Sequence, residues 1–153
     1  MKEEKRKKEK KKKVNYSKQG KLNRAAGRRF EAKVRQNLEE MGWIIAKWVN
    51  TIDYSKNKIV PAKRKYNPFL KALSIGNGFP DFICFKRNPQ GNYEIIGLEV
   101  KANGYLDQVE KGMCFWLIEN KIFSKILIAK KGKKRGEIEY IDFSSKYKKD
   151  FAV

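Results

Sequence analysis

From about Lys21 to Met41 the apolar residues Leu22, Ala26, Phe30, Val34, Leu38 and Met41 recur three or four apart among Arg, Lys, Glu and Gln. That period is one stripe of an α-helix, and Gly42 stands where a left-handed cap ends it. WIIAKWVN (43–50) is short, β-branched and aromatic, and reads as a strand. Residues 51–80 then turn polar, and Pro61, Pro68, Gly76, Gly78 and Pro80 interrupt any regular element, which predicts a long loop of the kind that often carries function. After Pro80, DFICFKR (81–87) and YEIIGLEVK (93–101) read as two strands of a hairpin turning at Asn88–Asn92. Asp107 with Glu110 three residues on has the form of a capping box, and it opens a helix over 107–120 with Val109, Met113, Trp116 and Leu117 as its apolar stripe. SKILIAKK (124–131) and EIEYIDF (137–143) follow as strands, and SSKYKKDFAV reads as a polar tail. The order α-β-β-β-α-β-β predicts an α/β fold: a central mixed β-sheet flanked by helices, with 93–101, 107–120 and 124–131 forming a right-handed β-α-β crossover. The domain then spans 17–145, between a basic arm (1–16) and a polar tail (146–153).

Charge changes this picture by nominating a partner. The 153 residues hold 37 Lys and Arg against 17 Asp and Glu, a net +20. Nine of the basic and three of the acidic residues fall in the first thirteen positions, a block too poor in apolar surface to offset its ordering entropy, so a disordered or irregular arm is expected there. The remaining 28 basic and 14 acidic residues leave the folded part basic in its own right. Phosphates release condensed counterions to such a surface, which makes nucleic acid the first partner to consider. An anionic membrane surface and a merely soluble, lysine-rich chain are the alternatives. No apolar run approaches the roughly 20 residues of a membrane span, and MKEEKRKKEKKKK lacks the apolar segment of a signal peptide. Cys84 and Cys114 sit in apolar runs 30 positions apart and suggest small buried thiols rather than a disulfide framework, so a reduced, cytoplasmic setting is expected.

The chain contains no histidine. Ser-His-Asp and Cys-His hydrolases, histidine-metal nucleases and imidazole-ligated zinc are thereby excluded, and two cysteines cannot make a four-cysteine zinc site. Any catalysis near neutral pH falls to carboxylates, lysines and a hard cation such as Mg²⁺.

Those groups converge once. Strand alternation puts Glu99 and Lys101 on one side and Leu98 and Val100 on the other, while Asp81 opens the neighbouring strand directly after Gly78-Phe79-Pro80. Two carboxylates at adjacent strand ends, with an ammonium beside them, are the donor set a divalent cation and a water nucleophile require. Asp81, Glu99 and the Val100 carbonyl are the candidate metal ligands, and Lys101 the group that orients or helps deprotonate water and stabilises transition-state charge. Glu-x-Lys recurs at Glu3, Glu9, Glu31, Glu99 and Glu119, but only at Glu99 does it end an apolar strand beside a Gly-x-Pro-Asp partner. A solvated rim or a structural ion pair is the alternative for these charges. Glu31 lies at the border of the first helix's apolar stripe, within reach of the same edge, and could equally be a surface glutamate.

Pro80-Asp81 followed by Glu99-Val100-Lys101, on two successive strands after an N-terminal helix, resembles the PD-(D/E)xK nuclease superfamily over about residues 27–130. Its VRR-NUC-type and archaeal Holliday-junction-resolvase-type branches are the nearest in look. The resemblance implies a restriction-endonuclease-like fold and a Mg²⁺-dependent DNA endonuclease, with Mn²⁺ able to substitute, acting on branched DNA of the Holliday-junction or flap type. Symmetric cutting of two strands would favour a homodimer. It also implies that Glu31 joins Asp81 and Glu99 at the metal, and that a polar residue on the helix after Glu-x-Lys faces the site. Gln108 is the obvious candidate, although alignment through Leu106 and Lys111 puts Glu110 there. The long 51–80 segment is similar to the insert of VRR-NUC-like proteins, and Lys63, Arg64, Lys65 and Tyr66 in it, with Tyr105 and Phe69, are candidates for DNA contact. The alternative from a different class is a basic DNA- or RNA-binding protein in which Asp81 and Glu99 are structural.

Overall fold

The computed structural model describes residues 15–69, 71–75 and 78–148. The first helix, α1 (Tyr16–Glu40), begins five residues before its apolar stripe requires, because the Asn15 side chain accepts the Lys18 N–H at 3.1 Å and caps it. The folded part therefore starts inside the expected arm, whose residues 1–14 lie outside the described ones. Phe30, Val34 and Leu38 are the buried stripe.

Five strands form one mixed sheet in the order β1-β6-β7-β8-β9: β1 (Ile44–Lys47), β6 (Phe82–Arg87), β7 (Tyr93–Val100), β8 (Ile126–Lys131) and β9 (Ile138–Asp142). The β7–β8 pair is parallel and is joined across α2 (Gln108–Glu119), whereas the other pairs are antiparallel. The expected capping box is present: Asp107 accepts from the Glu110 N–H at 2.8 Å and Glu110 from the Asp107 N–H at 2.9 Å.

Alternation divides the core. The α1 stripe packs with Ile45, Phe82, Cys84, Ile96, Leu98 and Ala129, while Cys114 and Leu117 of α2 pack with Ile126, Ile128, Phe123 and Phe143. Each alternate β8 residue thus serves a different helix, as a sheet covered on both faces requires.

Two expectations are corrected. Residues 51–80 are not a structureless loop: β2 (Asn50–Asp53) pairs with β3 (Lys58–Pro61), and β4 (Arg64–Asn67) with β5 (Ala72–Ile75), as two separate ribbons. In the first, Asp53 accepts from the Ser55 hydroxyl and the Lys56 N–H, a side-chain-closed turn that lets Ile52 and Ile59 pair and pack toward α2. The Trp116 indole donates to Asn57 Oδ1 at 2.8 Å and holds that turn against the helix. The expected polar tail also begins too early, because Asp142 caps a short helix, α3 (Phe143–Lys146), which buries Phe143 and brings the Tyr147 ring to 4.8 Å from it. No helix among the described residues is long and apolar enough to cross a membrane.

Candidate active site

The β6–β7 ladder stops at Phe82 and Leu98, and beyond that pair side chains replace it. The Asp81 N–H donates to Glu99 Oε2 at 3.0 Å, and the Val100 N–H donates to Asp81 Oδ2 at 2.9 Å. Each carboxylate thereby satisfies a backbone donor beside the other, and the two are held close together where the strands part. Asp81 is held from behind as well. Its carbonyl accepts the Trp48 N–H, the Phe79 N–H donates to the Asn50 carbonyl, and the backbone of Trp48–Asn50 runs so close to Gly78 that an added Cβ would lie 2.5 Å from the Trp48 oxygen. Only glycine fits there.

The pair opens into a cleft of about 510 Å³ bordered also by Glu31, Val100, Lys101 and Glu110. Glu99 is 5 % exposed. Burial, and then the charge of Asp81, push its carboxyl up to about 8, against partial relief from Lys101. Burial likewise raises Asp81; the Val100 N–H works against this, and Glu31 adds repulsion. Two carboxyl groups thus share a poorly solvated place in which ionising one opposes ionising the other, the electrostatic condition a divalent cation relieves. Lys101 lies 3.5 Å from Glu99 and is hydrogen-bonded to Glu110. Burial works to lower its pKa, but the Glu110 bond and the two carboxylate charges outweigh burial and raise it. Lys101 is accordingly held as an ammonium between Glu99 and Glu110, suited to stabilising anionic charge.

Five of the expected residues, Glu31, Asp81, Glu99, Val100 and Lys101, are brought to this cleft. Glu31 is engaged with Lys47 at 2.7 Å, and among the described residues no three acidic or cysteine side chains close on one point. Gln108 is exposed on the first turn of α2 and does not border the cleft. The capping box explains why: it turns Glu110 back toward the strand end, where its second oxygen holds Lys101. Tyr105 is exposed beside Lys146, and Lys63 and Tyr66 are exposed on or next to the second ribbon, whose β4 also includes Arg64 and Lys65; Lys63, Tyr66 and Tyr105 do not border the cleft. Lys47 was not foreseen. It sits opposite Phe82 in the β1–β6 register, 4.8 Å above that ring, and pairs with Glu31. Its signal in the sequence is a single charge within an otherwise apolar strand. No protein-family model matches the chain, and no curated protein and no solved structure matches it either.

Proposed function

We propose that the chain is a Mg²⁺-dependent deoxyribonuclease with a restriction-endonuclease-like fold of the PD-(D/E)xK type, hydrolysing phosphodiesters of branched DNA. One observation carries the reading: Asp81 and Glu99 each accept a backbone N–H beside the other at parting strand ends, with Lys101 beside Glu99 in one open cleft. The donor set fits a hard cation, since two mutually repelling carboxylates bordering open space leave the rest of an oxygen shell to water, as Mg²⁺ prefers. Asp81 and Glu99 would hold it with the Val100 carbonyl, and Glu31 would join only on release from Lys47. When bound, Mg²⁺ or Mn²⁺ supplies Lewis-acid stabilisation of the phosphoryl oxygens. Glu99 holds a proton near neutral pH and surrenders it as the site is charged. Lys101, fixed by Glu110, presents its ammonium to the charge that builds on the phosphoryl group as water adds and the P–O bond breaks. The net +20 charge supports DNA as the substrate.

A second reading is favoured by the Glu31–Lys47 and Lys101–Glu110 pairs, which give two of the cleft's carboxylates partners within the chain. On it the protein is a non-catalytic basic DNA- or RNA-binding protein. The experiment that separates them incubates the full chain with linear, flap, nicked and four-way DNA in Mg²⁺ and in Mn²⁺, with Asp81→Ala as control. Metal-dependent cutting that the control lacks is the expected result, strongest on branched forms. Binding without cutting of any form leaves the second reading.

A further inference from the structure

On the other side of α1 lies a larger cleft, of about 550 Å³, between the helix and the β8–β9 turn. Arg29 and Lys33 border it from the helix, and Lys131, Lys133, Lys134 and Arg135 from the turn. Among the described residues none of these six cations takes part in an ion pair. The one carboxylate in the cleft, Glu137, is committed to the turn itself, accepting the Lys134 N–H at 3.1 Å. Its side chain also covers Gly132, where an added Cβ would lie 2.5 Å from it, and the Gly132 N–H donates to the Glu137 carbonyl at 2.8 Å. The turn is thus closed twice across its base by one residue and displays its cations outward. Lys131 in addition lies 5.7 Å from the ring of Phe30, the buried residue at the cleft's floor.

Six cations around a single committed carboxylate give this concave surface a strongly positive potential, which favours an anion of several charges. Its position selects the anion. Gly27 and Glu31 border the carboxylate cleft, whereas Ala26, Arg29 and Lys33 border the basic one, so the two open on opposite flanks of the same two turns of α1. A helix with its side chains is about 10–12 Å across, commensurate with the roughly 12 Å major groove of duplex DNA. We propose that the basic cleft binds backbone phosphates on one side of the major groove of the duplex whose phosphate on the other side enters the carboxylate cleft, and so fixes where along the duplex the site acts. The proposal rests on the DNA-binding part of the function above and not on its catalysis.

The test measures binding of a short fluorescein-labelled DNA duplex by anisotropy over a series of salt concentrations, without divalent cation. Full-length Lys133→Ala/Arg135→Ala is compared with a charge-matched double on the α2 side, Lys56→Ala/Lys121→Ala. All four side chains are exposed, so folding is not at stake. The cleft double is expected to lose roughly ten- to thirty-fold in affinity near physiological salt, and its log–log salt slope to shrink by about 2. The control double should lose less than about three-fold. Equal losses and equal slopes in the two doubles would overturn the proposal. Cleavage is scored separately on the same preparations: a wild type that binds but never cuts fails the nuclease reading alone, while a cleft double that binds like the control fails the cleft whether or not it cuts.

Discussion

On one flank of α1 the charges are mostly acidic and, but for Asp107, wholly or partly buried; on the other they are mostly basic and exposed. The first set is held by the fold's own hydrogen bonds: Asp81 and Glu99 each accept a backbone N–H beside the other, at a place where the ladder between β6 and β7 has ended. The second set comes from α1 and a tight turn, and among the described residues none of its cations is in an ion pair. Burial makes the acidic flank sensitive to single atoms, because an unscreened charge there acts at full strength. Exposure makes the basic flank additive and dependent on salt. One helix therefore separates the cleft proposed for catalysis from the cleft proposed for phosphate binding.

The largest expected effect that sharpens this contrast is at Lys101. Lys101→Ala should lower the cleavage rate by roughly a hundred- to a thousand-fold, the usual loss when a fixed donor to transition-state charge is removed. DNA affinity measured on the same protein should change by no more than that of the single-lysine surface variant Lys56→Ala. Next is the glycine that lets Asp81 into place. Gly78→Ala meets backbone rather than a movable side chain, and should destabilise the fold by about 1–3 kcal/mol in urea melts.

Stability against pH comes third. Glu99 holds its proton more tightly in the fold, at about 8, than an ordinary glutamate does at 4.5. Its contribution is therefore complete below pH 4.5 and is lost as pH rises through about 8. In the absence of divalent cation, Glu99→Gln should then gain in melting temperature relative to wild type between pH 6 and pH 9, and the wild type alone should be restored at pH 9 by added Mg²⁺. A gap independent of pH would contradict the raised carboxyl. The smallest effect is at Glu110, which acts through Lys101 as a positioning residue. Glu110→Gln keeps a hydrogen-bond acceptor and should cost cleavage about ten-fold or less, with Glu110→Ala costing more.

How legible this was differs between the two flanks for physical reasons. Asp81, Glu99 and Lys101 were readable because strand alternation and a turn fix side-chain direction within a few residues. The stripe of α1 was readable from its period alone. The ribbons between Asn50 and Ile75 were not, since four-residue strands give alternation almost no length to register, and Pro61 and Pro68 read as interruptions although Pro61 ends β3 at the edge of its ribbon. The choice between Gln108 and Glu110 turned on where the capping box directs the glutamate, which spacing permits but does not decide. The basic cleft was invisible. Its helix residues and its turn residues are about a hundred positions apart, and in a chain with 37 Lys and Arg each of them reads as solvated surface.

The most direct measurement places Asp81→Asn beside the wild type on one labelled four-way DNA, recording cleavage in Mg²⁺ and, on the same preparations, affinity without divalent cation. Loss of cleavage with metal-free affinity kept or increased is the predicted result, because with no metal bound, removing an anion does not weaken attraction to phosphate. Equal cleavage by the two proteins, or binding by the wild type with no cleavage in Mg²⁺ or Mn²⁺, would contradict the assignment of Asp81 and Glu99 to catalysis.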